Sequence, residues 1–221
     1  MMCSYERKIG FALGGQIVSP VKVGLLTIIL ISVASLVGAG ARNQEGTRTG
    51  PRPSRAEGLA AWQQIYSVMS HPRCINCHTA DGYPQQTDDR HRHLFNVVRG
   101  PEGKGVAALQ CATCHQSSNA DSTGVPGVPD WHLAPLSMRW QDANDKVLPS
   151  SAVCRTVTDR TKNGGLDGAA LVKHHQTELV KWAWQPGLRN DGTARSIPPI
   201  SYEQFIAATR NWTQARMPCP Q

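Results

Sequence analysis

A mainly α, loop-rich fold is predicted by three features of the 221-residue sequence. Apolar residues recur at helical spacing on either side of a polar middle, glycine and proline crowd residues 79 to 136, and one uncharged apolar run lies near the N-terminus. That run, Val23 to Ala41, passes through Leu25, Leu26, Ile28, Ile29, Leu30 and Ile31. It follows Arg7, Lys8 and Lys22 and closes on Ala39-Gly40-Ala41, the small-x-small end that signal peptidase cuts. Residues 1–41 are therefore expected to be a signal peptide or, uncleaved, an N-terminal membrane-anchor helix, since 19 residues just suffice to span a bilayer. Either outcome delivers the rest of the chain outside the cytoplasmic membrane, to the periplasm, free or anchored to the inner membrane.

Residues 42–53, rich in Arg, Gly, Thr and Pro without periodicity, suit a linker, and residues 54–221 form the folded domain. Its first helix is predicted from the capping box Ser54-Arg-Ala-Glu57 and from Leu59, Trp62, Ile65, Tyr66 and Met69 at helical spacing, stopping at His71-Pro72. Residues 79–110 and 116–136 read as turns, with Arg99 to Gly105 as a marked loop. Three more helices are expected: 151–162, stopped at Asn163-Gly164-Gly165; 166–184, stopped at Pro186-Gly187; and 202–216, stopped at Pro218. Within the second of these, Leu171, His175, Leu179 and Trp182 fall on one face.

Two short runs carry the chemistry: Cys74-Ile-Asn-Cys77-His78 and Cys111-Ala-Thr-Cys114-His115. In CxxCH the two thiols add across the vinyl groups of one haem and the histidine ligates its iron, so two copies predict two covalently attached haem c groups. The chemical competitor is one zinc held by the two CxxC pairs, but a four-cysteine site has no need of a histidine after each pair. A CxxC redox dithiol is disfavoured because no βαβ pattern surrounds either pair. With Cys74, Cys77, Cys111 and Cys114 on haem and Cys3 in the export segment, Cys154 and Cys219 remain. In an oxidising compartment they are expected to pair, the alternative being two buried thiols.

His78 and His115 are the proximal ligands in this reading. The distal candidates are His93, His132, Met138 and His175, with His91, His174 and Met217 also downstream. His71, three residues before the first cysteine, reads as a helix-end residue. A weak echo favours His93 and His132: His93-Leu94 follows the first motif by 15 residues and His132-Leu133 the second by 17. Arg99 and Lys104 are candidate partners for haem propionates or plain surface charges, and the six tryptophans either shield haem or fill core.

Net charge is +7, and +5 once residues 1–41 are set aside, because Arg7, Lys8, Lys22 and Glu6 leave with them. Four propionates would largely cancel that, and no arginine–aromatic interleaving marks a nucleic-acid surface. No Ser/His/Asp arrangement or phosphate loop occurs.

With these residues in view, the chain resembles small exported dihaem cytochromes c. His71-Pro-Arg-Cys-Ile-Asn-Cys-His78, Val125-Pro-Gly-Val-Pro-Asp-Trp-His-Leu-Ala-Pro135 and Leu179-Val-Lys-Trp-Ala-Trp-Gln-Pro-Gly187 are similar to the cytochrome-c-like proteins named isoquinoline 1-oxidoreductase subunits, over about residues 57–220. The resemblance implies a loop-rich dihaem cytochrome c fold over 54–221 and electron transfer beside an oxidoreductase, although this chain carries no molybdopterin or iron-sulfur signature. The function expected is relay of single electrons between redox donor and acceptor proteins. Its rivals are a small dihaem peroxidase-like enzyme with one open haem site and a haem sensor or docking subunit.

Overall fold

The computed structural model describes residues 50–221; the export segment and most of the linker lie outside the described residues. Six helices carry the fold: α1 (Arg55–Met69), α2 (Pro72–Ile75), α3 (Ser150–Thr158), α4 (Gly168–His175), α5 (Glu178–Lys181) and α6 (Tyr202–Gln214). Between α2 and α3 the chain forms loops, short 3-10 turns and two minimal antiparallel hairpins, β1 (Gln85–Gln86) with β2 (His91–Arg92) and β3 (Gly105–Val106) with β4 (Leu109–Gln110). Among the described residues no helix is long and apolar enough to cross a membrane.

α1 and α6 start on full capping boxes, Ser54 with Glu57 and Ser201 with Gln204, each satisfying two otherwise orphaned backbone donors. Their apolar faces meet in the main core, where Trp62, Ile65 and Trp212 are fully buried and the Trp62 and Trp212 rings lie 4.9 Å apart. A buried indole N–H usually finds a partner: Trp62 Nε1 donates to Ser150 Oγ at 2.8 Å and Trp212 Nε1 to the Pro218 carbonyl at 3.0 Å. Gly58 permits the close approach of α1 to the chain after α6, since a Cβ there would stand 2.5 Å from Ala215 Cβ and 2.7 Å from Pro218 Cγ. The disulfide Cys154–Cys219 is formed and ties α3 to the C-terminal tail, which answers the question of the two spare cysteines.

The helix expected over 166–184 is broken. α4 stops at Gln176 because Thr177 takes an extended backbone (φ −67°, ψ 153°) as the N-cap of α5, and both its N–H and its hydroxyl donate to the His174 carbonyl. The side-chain bond offers the backbone an alternative to continuing the helix. The face expected to run from Leu171 through Trp182 therefore ends at His175, and Trp182–Trp184 form a separate 3-10 turn. α3 also ends short of its expected stop, at Asp159, whose carboxylate caps the following turn through Thr161.

Candidate functional site

The first motif leaves α1 at Ser70 and enters α2 through His71, whose Nδ1 accepts the Arg73 N–H at 3.2 Å as an N-cap. Two turn bonds, Cys77 N–H to Cys74 C=O and His78 N–H to Ile75 C=O, set Cys74, Cys77 and His78 on one coil of chain. A later segment wraps it. The Met138 carbonyl lies 2.6 Å from His78 Nδ1, the Trp140 N–H donates to the His78 carbonyl, and the buried Gln141 amide donates to the Ile75 carbonyl at 3.0 Å. The Trp140 ring stacks on His78 at 3.4 Å between centroids and 6° between planes.

The second motif opens with a 3-10 turn, Cys111–Thr113, with His115 N–H donating to the Cys111 carbonyl. His115 is treated as His78 is: its Nδ1 lies 2.8 Å from the Pro126 carbonyl, and Trp131 stacks on it at 4.4 Å and 1°. Trp182 packs edge-on against Trp131 and donates to Asn119 Oδ1 at 3.0 Å, the same oxygen that receives the Gly127 N–H. The loop carrying the carbonyl partner and the stacked tryptophan is thus pinned to the region after α5.

A carbonyl can only accept, so both imidazoles carry their proton on Nδ1 and present the lone pair of Nε2, the form a metal ligand must have. Neither Nε2 has a hydrogen-bond partner among the described residues. Burial, opposed by the Met138 carbonyl, pushes His78 down to about 3, and burial likewise lowers His115. Both rings are neutral at physiological pH.

The four motif cysteines are unpaired. Burial pushes Cys74 up to about 12 and Cys77 to about 11, the neighbouring Cys111 adding to the rise at Cys77. Such thiols are poor thiolates and weak zinc ligands in this state, and no three His, Cys, Asp or Glu converge as a metal-holding group among the described residues. The effect of Cys111 on Cys77 also shows that the two motifs are neighbours in space.

The remaining candidates sort by where their nitrogens point. His93 stands across a cavity of about 550 Å3 from His115, ring centroids 5.9 Å apart, and gives its Nδ1 to the Leu94 carbonyl. The two rings meet nearly edge-on, at 71° between planes. The echo in the sequence had tied His93 to its own upstream motif; its ring instead crosses to the second. Met138 gives its carbonyl to His78 Nδ1, and its side chain packs against the main core.

His175, expected as a ligand, is a core residue, 5% exposed, packed 4.7 Å from Phe205. Thr209 Oγ1 gives its proton to the Phe205 carbonyl and receives the His175 Nδ1–H at 3.0 Å. A planar cofactor has little open surface to meet there. Its neighbour His174 is exposed, has no hydrogen bond on either ring nitrogen among the described residues, and is close enough to His78 and His132 for their charges to interact. His132 Nδ1 faces the Asp130 carbonyl at 2.5 Å, with the Asp130 carboxylate 3.5 Å away. His91 spends both nitrogens, on Asp89 and Gln86.

Arg99 is no surface charge. It is 8% exposed and donates to Thr79 Oγ1 and to the Asp81 and Ala134 carbonyls, stapling the chain after the first motif to the loop before Met138. Lys104 pairs with Asp130 at 2.8 Å.

Comparison of the chain with protein-family models, curated proteins and solved structures returns no match.

Proposed function

We propose that this chain is an exported c-type cytochrome that carries two covalently attached haems and relays single electrons between redox proteins. The observation that supports it most is the identical treatment of the two CxxCH histidines. Each donates Nδ1–H to a backbone carbonyl, each is stacked by a tryptophan, and each leaves Nε2 unpartnered beside a pair of free thiols. His93 and His132 also direct Nδ1 at a backbone carbonyl, but only His78 and His115 add a stacked tryptophan; two alike at two motifs point to one requirement.

Cys74 and Cys77 with His78 would hold one haem, and Cys111 and Cys114 with His115 the other. When bound, such a group supplies a one-electron iron couple whose potential follows axial ligand and burial. The chain's own part is to fix the two imidazoles, cover them with Trp140 and Trp131, and keep the two attachment sites adjacent. His93 completes the second site. His174, exposed and with no hydrogen bond on either ring nitrogen among the described residues, would be the candidate for the first. With both sixth positions taken by protein, the reading is a carrier and not a peroxidase. Export is supported by the Cys154–Cys219 disulfide, which persists in oxidising compartments.

The test is haem stoichiometry in protein matured by a host that attaches haem c. Two haems per chain surviving acid-acetone extraction are expected, by pyridine haemochrome; one haem, or zinc, would refute the proposal. Carbon monoxide binding at one ferrous haem together with peroxide turnover would replace the carrier by the enzyme.

A further inference from the structure

The cavity between His93 and His115 is bordered by three arginines, two of which keep a buried donor unmet. Arg73 is 7% exposed, and Arg73 and Arg189 both pair with the single carboxylate of Asp88, one on each oxygen. Ser196 Oγ adds a third bond to that carboxylate at 2.8 Å. Arg195 makes no ion pair among the described residues; its only side-chain bond is to the Gly124 carbonyl. Arg73 Nε and Arg195 Nε are buried and have no hydrogen-bond partner. Asp121 acts on Arg195 and Asp191 on Arg189, so the cluster is not short of carboxylates; what it leaves unmet is the two buried Nε–H donors, each costly without an acceptor.

We infer that Arg73, Arg189 and Arg195 form a carboxylate clamp that binds the two propionates of the haem attached at Cys111 and Cys114. The inference rests on the dihaem reading above. The donor chemistry agrees, because a guanidinium offers a planar fork that matches a carboxylate, and two of these forks have an idle Nε–H. The crowding is visible in the chain alone, where burial and then the charges of Arg195 and Arg189 push Arg73 down to about 10, and burial and then Arg189 lower Arg195. Arg189 and Arg195 lie more than a hundred residues from Arg73, on a loop between the 3-10 turn Trp182–Trp184 and α6, so the clamp also fastens that loop over the second haem.

The experiment is a redox titration of the full chain carrying its haems, comparing wild type with Arg195→Ala, Arg195→Lys and Arg189→Ala. The second haem is identified by its absence from Cys111→Ala/Cys114→Ala protein. A positive charge beside the propionates favours the reduced haem, so Arg195→Ala is expected to shift the second haem's reduction equilibrium on the order of tenfold toward the oxidised form, 59 mV for one electron. The first haem should hold its potential, and Arg195→Lys should give a smaller shift. Arg189, partly exposed at the cavity mouth, provides the second variant should Arg195→Ala fail to mature. Two haems per chain with the second potential unmoved in both variants would overturn the clamp and leave the dihaem reading standing. Fewer than two haems in wild type would remove the dihaem reading itself. A potential that responds to Arg195 only when succinate is added would give the cluster to a free dicarboxylate and overturn the assignment to propionates.

Discussion

Replacing the disulfide by Cys154→Ala/Cys219→Ser should cost about 4 kcal/mol. The bridge joins residues 65 apart, and closing a loop of that length removes chain entropy from the unfolded state worth roughly that amount at 25 °C. The loop holds none of the four haem-attachment cysteines, so covalent haem does not already supply this constraint. The native state should change little, since Trp212 still bonds the Pro218 carbonyl and Gly58 still accommodates Pro218. With a urea slope of about 2 kcal/mol per molar for a domain of this size, the midpoint should fall by about 2 M. Far-UV circular dichroism of the haem-loaded protein reads the midpoint, and the Soret band reads the site at zero denaturant. A fall below about 0.5 M would refute the entropic argument, and a changed Soret band would show that the bridge shapes the folded state.

Two further outcomes follow from the histidines. His71, held at about 4 by burial and by Arg73, binds a proton more readily unfolded than folded, so its contribution to stability is present above about pH 6.5 and lost as pH falls toward 4. Protonation also abolishes its acceptor at the N-cap of α2; His71→Asn, which keeps a capping oxygen, should therefore lose less urea resistance between pH 7 and 4.5 than wild type. His174→Ala should turn the first haem high-spin in the ferric optical spectrum and open it to carbon monoxide, whereas His175→Leu should lower stability and leave both haems low-spin. The opposite pattern would return His175 to the ligand role that the sequence suggests.

The parts of this chain that were legible in the sequence are those governed by local rules. The capping box at Ser54 with helical spacing located α1, and the stop at Pro218 located α6, each within two residues, because these signals are short-range facts. The CxxCH runs were legible because their spacing is itself a local pattern. The break at Thr177 escaped because it depends on one hydroxyl choosing a backbone carbonyl three residues back, a choice helical periodicity does not report. The arginines divided the same way: Arg99 drew notice for standing in a glycine-rich loop, while Arg189 and Arg195 sat in an unremarkable one and acquire meaning only where the fold brings them to Arg73.

The histidine pair on α4 shows why side-chain surroundings decide a ligand more sharply than pattern. His175 lies on the apolar face with Leu171, the face a helix turns toward its core. A sixth ligand to haem, however, has to meet a flat group several rings wide, so its environment must contain a gap when the group is absent. His78, His93 and His115 are each half-buried and lead with an unpartnered Nε2, His93 and His115 into a shared cavity. His174 is open in the same sense, and His175, enclosed by Phe205 and Thr209, is not. Apolar periodicity identifies what the protein packs against itself; a cofactor ligand is found among the residues that the protein's own packing leaves unmet.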